Sequence, residues 1–264
     1  MAKGSRGGQR AGGATSGSGQ LQPQQQPQAQ AQQQQPQPQI DDTQQAQAMS
    51  TQYSAFMQMS DDQKADAIKT AISQDIPDHL NKQSDYQKLI YNLGMNDKPT
   101  LVDDATLDSM KGTEVFRTVN AVYDRSTDLS FTAPQIAKQT QAGKITRVSN
   151  GGRAVYGDGI YFATDKSESS YYGSTRGNVN KTCMMRAKLN NNAKVISHRN
   201  AVTGVSQEIS KGTKLGKVLR NCNRSSQASI YALAKGYNVI DAGNGYMNII
   251  NRGALTMSKT VKPI

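Results

Sequence analysis

The feature that most limits what this chain can fold into is its first 48 residues. Residues 1–19 are mostly Gly, Ser, Ala and basic residues, and residues 20–47 are a Gln/Pro/Ala tract in which Leu21 and Ile40 are the only large aliphatics. Ordering a backbone costs roughly 1–2 kcal/mol per residue, and a segment this poor in apolar surface cannot offset it. A disordered tail over 1–48 is therefore expected, with Gln/Pro tracts serving as a spacer. The core has to be built from the remainder of the 264 residues.

The net charge of +11 belongs almost wholly to that remainder. Lys3, Arg6 and Arg10 against Asp41 and Asp42 account for only +1 of it. A basic surface suits a partner that carries phosphate, whether a dinucleotide, a nucleic acid or an acidic protein, and equally suits simple solubility, because no run of like charges occurs. No helix clusters Lys and Arg and no nucleic-acid-binding motif is present, so nucleic acid is the disfavoured partner. Cys183 and Cys222 lack the spacing of a zinc site or a disulfide framework, so no metal is expected. No apolar run approaches the roughly 18 residues that cross a bilayer, so a soluble protein without a membrane partner is expected.

From Ser50 to about Met95 the periodicity is helical. Ser60-Asp61-Asp62-Gln63 reads as a capping box ahead of Ala65, Ile68 and Ile72. Ser84 reads as the cap of a second helix carrying Tyr86, Leu89, Ile90 and Leu93, stopped by Gly94. These residues define a helical lobe over 49–98. Past Pro99, Thr100–Leu107 reads as an extended piece and a helical turn, and Glu114–Val119 as an apolar strand that carries Arg117. A charge inside such a strand either faces a ligand or another charge, or lies on an edge and points to water. Ala133–Gln141 reads as a short helix, Thr182–Leu189 and Ala193–Ser197 as strands, and Gln227–Lys235 as a helix. Tyr237–Ile240 and Tyr246–Ile250 read as strands. Gly204–Arg224, polar and rich in Gly and Lys, reads as a surface loop. His79 reads as a surface or capping residue and His198 as structural.

One stretch spells out a site. Gly157-Asp158-Gly159-Ile160-Tyr161-Phe162-Ala163-Thr164 is followed at fixed offsets by Ser167, Ser169 and Tyr172. The glycines permit a tight turn and close approach of a ligand or a neighbouring strand. Ile160–Ala163 reads as a buried strand, and Thr164 or Asp165 as the cap of a helix on which Ser169 and Tyr172 share a face.

This pattern resembles the signature of the ADP-ribosyltransferase superfamily, closest to its poly(ADP-ribose) polymerase and diphtheria-toxin branch. The resemblance covers roughly residues 100–260. It implies an α+β fold, a split β-sandwich of two small antiparallel sheets with flanking helices and a cleft between them, over residues 99–264. It also implies that NAD is the substrate and that ADP-ribose passes to a protein acceptor with release of nicotinamide. Tyr161 and Tyr172 would sandwich the nicotinamide ring, with the Ser169 hydroxyl on its carboxamide and Gly159 in the loop beneath. Arg117, as in the arginine branch, would fork onto the NAD phosphates or ribose, and the backbone of Thr118 would meet the carboxamide. In the third motif the resemblance places a catalytic glutamate just before Tyr246, where this chain has Gly245. Asp241 or Glu208 would then supply a carboxylate, or Asn244 a neutral hydrogen bond. The tail, the lobe and the ending Tyr246–Leu255 are also similar to ADP-ribosyltransferase-like domains of bacteriophage head and portal-associated proteins. That implies a virion or host-cytoplasm location, phage structural partners, and the alternative of a catalytically degenerate NAD-binding or virion module.

Overall fold

The short helix at residues 52–58 (α1) ends where Ser60 starts the next one. The Ser60 hydroxyl accepts from the Gln63 backbone N–H at 3.2 Å and the Gln63 amide oxygen accepts from the Ser60 N–H at 2.9 Å, the reciprocal pair read from the sequence. Helix α2 then runs over Asp61–Ser73, and α3 over Asp85–Asn92 with the Ser84 side chain accepting from Gln87 N. The computed structural model describes residues 52–95, 97–124, 128–145, 156–174 and 182–264. These all belong to one compact unit, Ile40–Ile264. The reading of residues 1–48 as a tail lies outside the described residues.

Strand β1 (Thr100–Val102), helix α4 (Asp104–Ser109) and strand β2 (Glu114–Asn120) follow in order. A small hairpin, β3 (Val122–Asp124) with β4 (Leu129–Phe131), leads to α5 (Ala133–Gln141), whose bounds match the sequence reading. Next come β5 (Ile160–Ala163), α6 (Lys166–Ser174), β6 (Thr182–Leu189) and β7 (Val195–Ser197). The segment read as a surface loop is instead two helices, α7 (His198–Ser210) and α8 (Lys214–Asn221). Both are capped by hydroxyls, Ser197 and Thr213 respectively. Helix α9 (Arg224–Ala234), β8 (Val239–Asp241), β9 (Tyr246–Ile249), β10 (Leu255–Ser258) and β11 (Lys262–Pro263) complete the chain. None of the described helices is long and apolar enough to cross a membrane.

The main sheet has the order β1-β10-β6-β2-β5-β9-β8-β7, with β11 added against β6. It is mixed, because β1/β10 and β7/β8 run parallel while the other pairs are antiparallel. The α+β class is thus as expected, and the purely antiparallel sheets are not. The joint in the middle is narrow. Seven register pairs hold β2 to β6 and four hold β5 to β9, whereas a single pair, Phe116 with Ala163, joins β2 to β5. Beyond that pair the two strands part, leaving a seam between the halves.

Each face of the sheet has its own core. On one face Val115, Val119, Ile160, Phe162, Met185, Ile249 and Met257 pack under Ile136 and Ala137 of α5. On the other, Ile196 and Ile240 at the β7/β8 end meet α2, α3, α7, α8 and α9 through Ile68, Leu89, Val205, Leu219, Ile230 and Leu233. Helices from the 49–98 lobe and from residues 198–234 therefore share one apolar core.

Candidate functional site

Residues 156–159 form the loop that feeds β5, and two helices and a strand hold it in place. Gly157 has φ +96, and a Cβ there would lie 2.6 Å from Ser229 Oγ. A Cβ on Gly159 would lie 2.0 Å from Asn248 Oδ1 and 2.9 Å from the Ile249 carbonyl, so what approaches this glycine is β9 and not a ligand. Between them Asp158 is pinned on every side. Its carboxylate accepts from Ser84 Oγ at 2.7 Å and Ser226 Oγ at 2.5 Å, and its carbonyl accepts from Ser229 Oγ at 2.6 Å. The fully buried Asn248 donates to the Tyr156 and Gly157 carbonyls at 3.2 and 3.1 Å.

At the far end of β5, Thr164 and Asp165 divide the capping work that either could have done. Thr164 N and Oγ1 donate to the Gly245 carbonyl at 2.8 and 3.2 Å, tying β5 to the turn before β9. Asp165 is the cap of α6, accepting from the N–H groups of Ser167 at 2.7 Å and Glu168 at 3.1 Å and from the Ser167 hydroxyl. Those hydrogen bonds hold its carboxyl below the usual range. Helix α6 is thereby laid across the seam.

Register decides which side chains meet there. Phe116 pairs with Ala163, Ala163 with Tyr246, and Tyr161 with Asn248, so Thr118, Tyr161, Tyr246 and Asn248 all share one face of the sheet. Helix α6 lies on that same face. The hydroxyls of Thr118 and the buried Ser169 are 3.0 Å apart, bridging β2 to the helix. Tyr161 donates its phenol to the Gly157 carbonyl at 2.5 Å and accepts from Tyr156 N at 3.0 Å, while burial raises its pKa well above the ordinary phenol value. Tyr246, two residues diagonally from Tyr161, donates to Glu168 Oε1 on α6 at 2.6 Å.

Of the residues expected at a nicotinamide pocket, Thr118, Tyr161 and Ser169 converge. Tyr172 belongs to α6, and its side chain lies outside the described residues. Arg117 does not join them. It pairs with Met185 and shares its face with Val115 and Val119, the opposite one, where it is buried and its charge lies near that of Arg252. Burial lowers Arg117 to about 10, and burial together with Arg117 lowers Arg252 to about 9. Arg252 donates to the Thr140 carbonyl in the last turn of α5 at 3.3 Å, a favourable place for a cation.

Neither substitute carboxylate reaches the seam. Asp241 pairs with Met247 on Arg117's face and accepts from Gly243 N at 2.8 Å, closing the 241–245 turn. Glu208 is occupied on α7 by Thr213 and by Lys235 at 3.0 Å. Asn244 donates to the Tyr156 phenol at 2.7 Å, at the rim of the loop. Sequence reading missed Glu168 and Tyr246 as a pair, because their contact spans 78 residues and neither stands out alone.

A separate cavity of about 430 Å³, lined by Tyr53, Asp97, Lys98, Asn238 and Asn251 among others, shares no residue with the seam. Among the described residues no group of His, Cys, Asp and Glu could hold a metal ion. Comparison with known proteins adds no name: no family model, no curated protein and no solved structure matches this chain, and what the seam can do is a matter of its own residues.

Proposed function

We propose that the chain is an NAD-dependent mono-ADP-ribosyltransferase built on a split, ADP-ribosyltransferase-like sheet, with nicotinamide bound at the β2/β5 seam. The observation that carries the reading is the convergence of Thr118, Tyr161 and Ser169, from three separate elements, on one face of the narrowest joint in the sheet. The parting of β2 from β5 leaves the β5-facing edge of residues 117–120 outside the ladder, where a carboxamide can take backbone hydrogen bonds. Tyr161 offers a ring already fixed at its phenol end, and the Ser169 hydroxyl retains acceptor capacity beyond its bond to Thr118. In the reaction the C1′–N bond of NAD breaks and its electron pair leaves with nicotinamide. A lone pair on the acceptor side chain forms the new bond to C1′, and the acceptor's proton passes to solvent.

The second reading, a degenerate NAD-binding or virion module, draws on a specific pair of observations. Gly245 stands where the resemblance places a carboxylate, and Arg117 lies on the face away from Tyr161. Incubation of the full chain with labelled NAD and a host lysate separates the two. Labelled protein bands, lost in Tyr161→Ala, are expected for a transferase. The same substitution should weaken NAD binding about ten- to hundred-fold, the worth of one aromatic stack. Saturable binding without labelling selects the NAD-binding module, and no heat with millimolar NAD sinks both the transferase and the NAD-binding module.

A further inference from the structure

We propose that Glu168 supplies the carboxylate that position 245 lacks, holding the ribose hydroxyl beside the bond that breaks; this rests on the transferase reading above. The backbone at Gly245 sets the problem. Its φ is +81, a region L side chains rarely adopt, and its carbonyl is committed to both Thr164 N and Thr164 Oγ1. The chain has thus made this position a turn that ties β9 to β5, and a glutamate could not occupy it without strain. A carboxylate for the site has to come from another element.

The acidic groups around the seam can be taken in turn. Asp158 is held under the loop by Ser84 and Ser226, which both donate to its Oδ2, and Asp165 is turned into the first turn of α6, where its Oδ1 accepts from Ser167 and Glu168. Asp241 faces the other side of the sheet, and Glu208 lies in the helical core with Lys235. Glu168 alone among these is held by a side chain on the sheet face that carries Tyr161: Tyr246, the residue after Gly245 and the diagonal neighbour of Tyr161, donates its phenol to Oε1 at 2.6 Å. Its second oxygen takes no hydrogen bond from the described residues. Glu168 is exposed, and its neighbour in α6 is the Ser169 that bridges to Thr118. The phenol therefore does for Glu168 what a strand backbone does for a glutamate rooted in it, fixing an anion close to the developing positive charge at C1′.

In the test, the full chain is given NAD without an acceptor. Water then attacks C1′ and loses a proton, and nicotinamide release is followed beside calorimetric binding. Glu168→Gln should keep NAD affinity within about threefold and lower kcat by about a hundredfold or more, the scale of losing one charge-stabilising group. Glu168→Asp, which keeps a carboxylate on the same helix, should recover part of that loss. Tyr246→Phe, which removes the donor that holds the carboxylate, should lower kcat with NAD affinity kept within about threefold. Wild-type turnover left intact by Glu168→Gln, or a loss carried by Asp241→Asn instead, overturns the proposal while leaving the transferase reading standing. A wild type that binds NAD and releases no nicotinamide, either alone or with a host lysate, overturns both.

Discussion

At the residue scale the two glycines of the site loop show how far a single position can be read. The sequence demanded a turn or a close approach at 157 and 159, and both are present. The identity of the approaching group was hidden, because Ser229 and Asn248 come from elements some 70 and 90 residues further on, roughly. Gly159→Ala should destabilise the fold by about 1–3 kcal/mol, the usual cost of forcing an extra methyl into a filled space. The check is the urea midpoint, and an unchanged midpoint would mean that β9 is not packed against the loop. Asp97 offers a second residue-scale test through pH. Burial raises its pKa, against the lowering by the Asn251 amide that donates to it at 3.1 Å. A carboxyl raised on folding contributes stability that is fully present below its unfolded value and is lost as pH rises through the folded one. Asp97→Asn keeps an acceptor for Asn251 and carries no charge. Its melting temperature should match that of the wild type near pH 4 and exceed it at pH 7; parallel curves over that interval would remove the argument.

At the scale of elements, capping chemistry was legible and helix packing was not. Ser60, Ser84 and Asp165 each announced a helix start, since a short polar side chain ahead of a periodic run has few other uses, and each caps the helix that follows it. The stretch 204–224 misled because its glycines and lysines have the composition of a loop. In the fold two of its three glycines, Gly204 and Gly216, are contact points between helices. A Cβ on Gly204 would lie 2.2 Å from the ring of Tyr231, and one on Gly216 would lie 2.0 Å from the Glu208 carbonyl. Glycine inside an exposed helix usually costs about 0.5–1 kcal/mol against alanine, so replacement ordinarily stabilises. Here the sign should reverse. Gly204→Ala and Gly216→Ala are each expected to lower stability by about 1–3 kcal/mol, because the Tyr231 ring or the α7 backbone has to move. Denaturant melts that show stabilisation instead would place α7 further from α8 and α9 than described.

For the whole molecule, the consequential fact is that the helical lobe shares its apolar core with helices from the other end of the chain. Periodicity alone located α2 and α3 and left open what they rest on, because their partners α7, α8 and α9 come more than a hundred residues later. Ile68, Tyr86, Leu89 and Ile90 are all buried in the core that also contains Ile230, Leu233 and Ile240. Burying each such side chain is worth about 1.5–3 kcal/mol, so these four approach the whole net stability of about 5–15 kcal/mol typical of a domain. The lobe also reaches the candidate site, since Ser84 both caps α3 and donates to the carboxylate of Asp158 beneath β5. A chain of residues 99–264 should therefore lack a cooperative thermal transition and bind a hydrophobic dye, with its NAD affinity lost along with the loop's support. A sharp melt from that fragment, with NAD heat equal to that of the full chain, would show that the seam stands without the lobe. The two cores would then be separate cooperative units and not one.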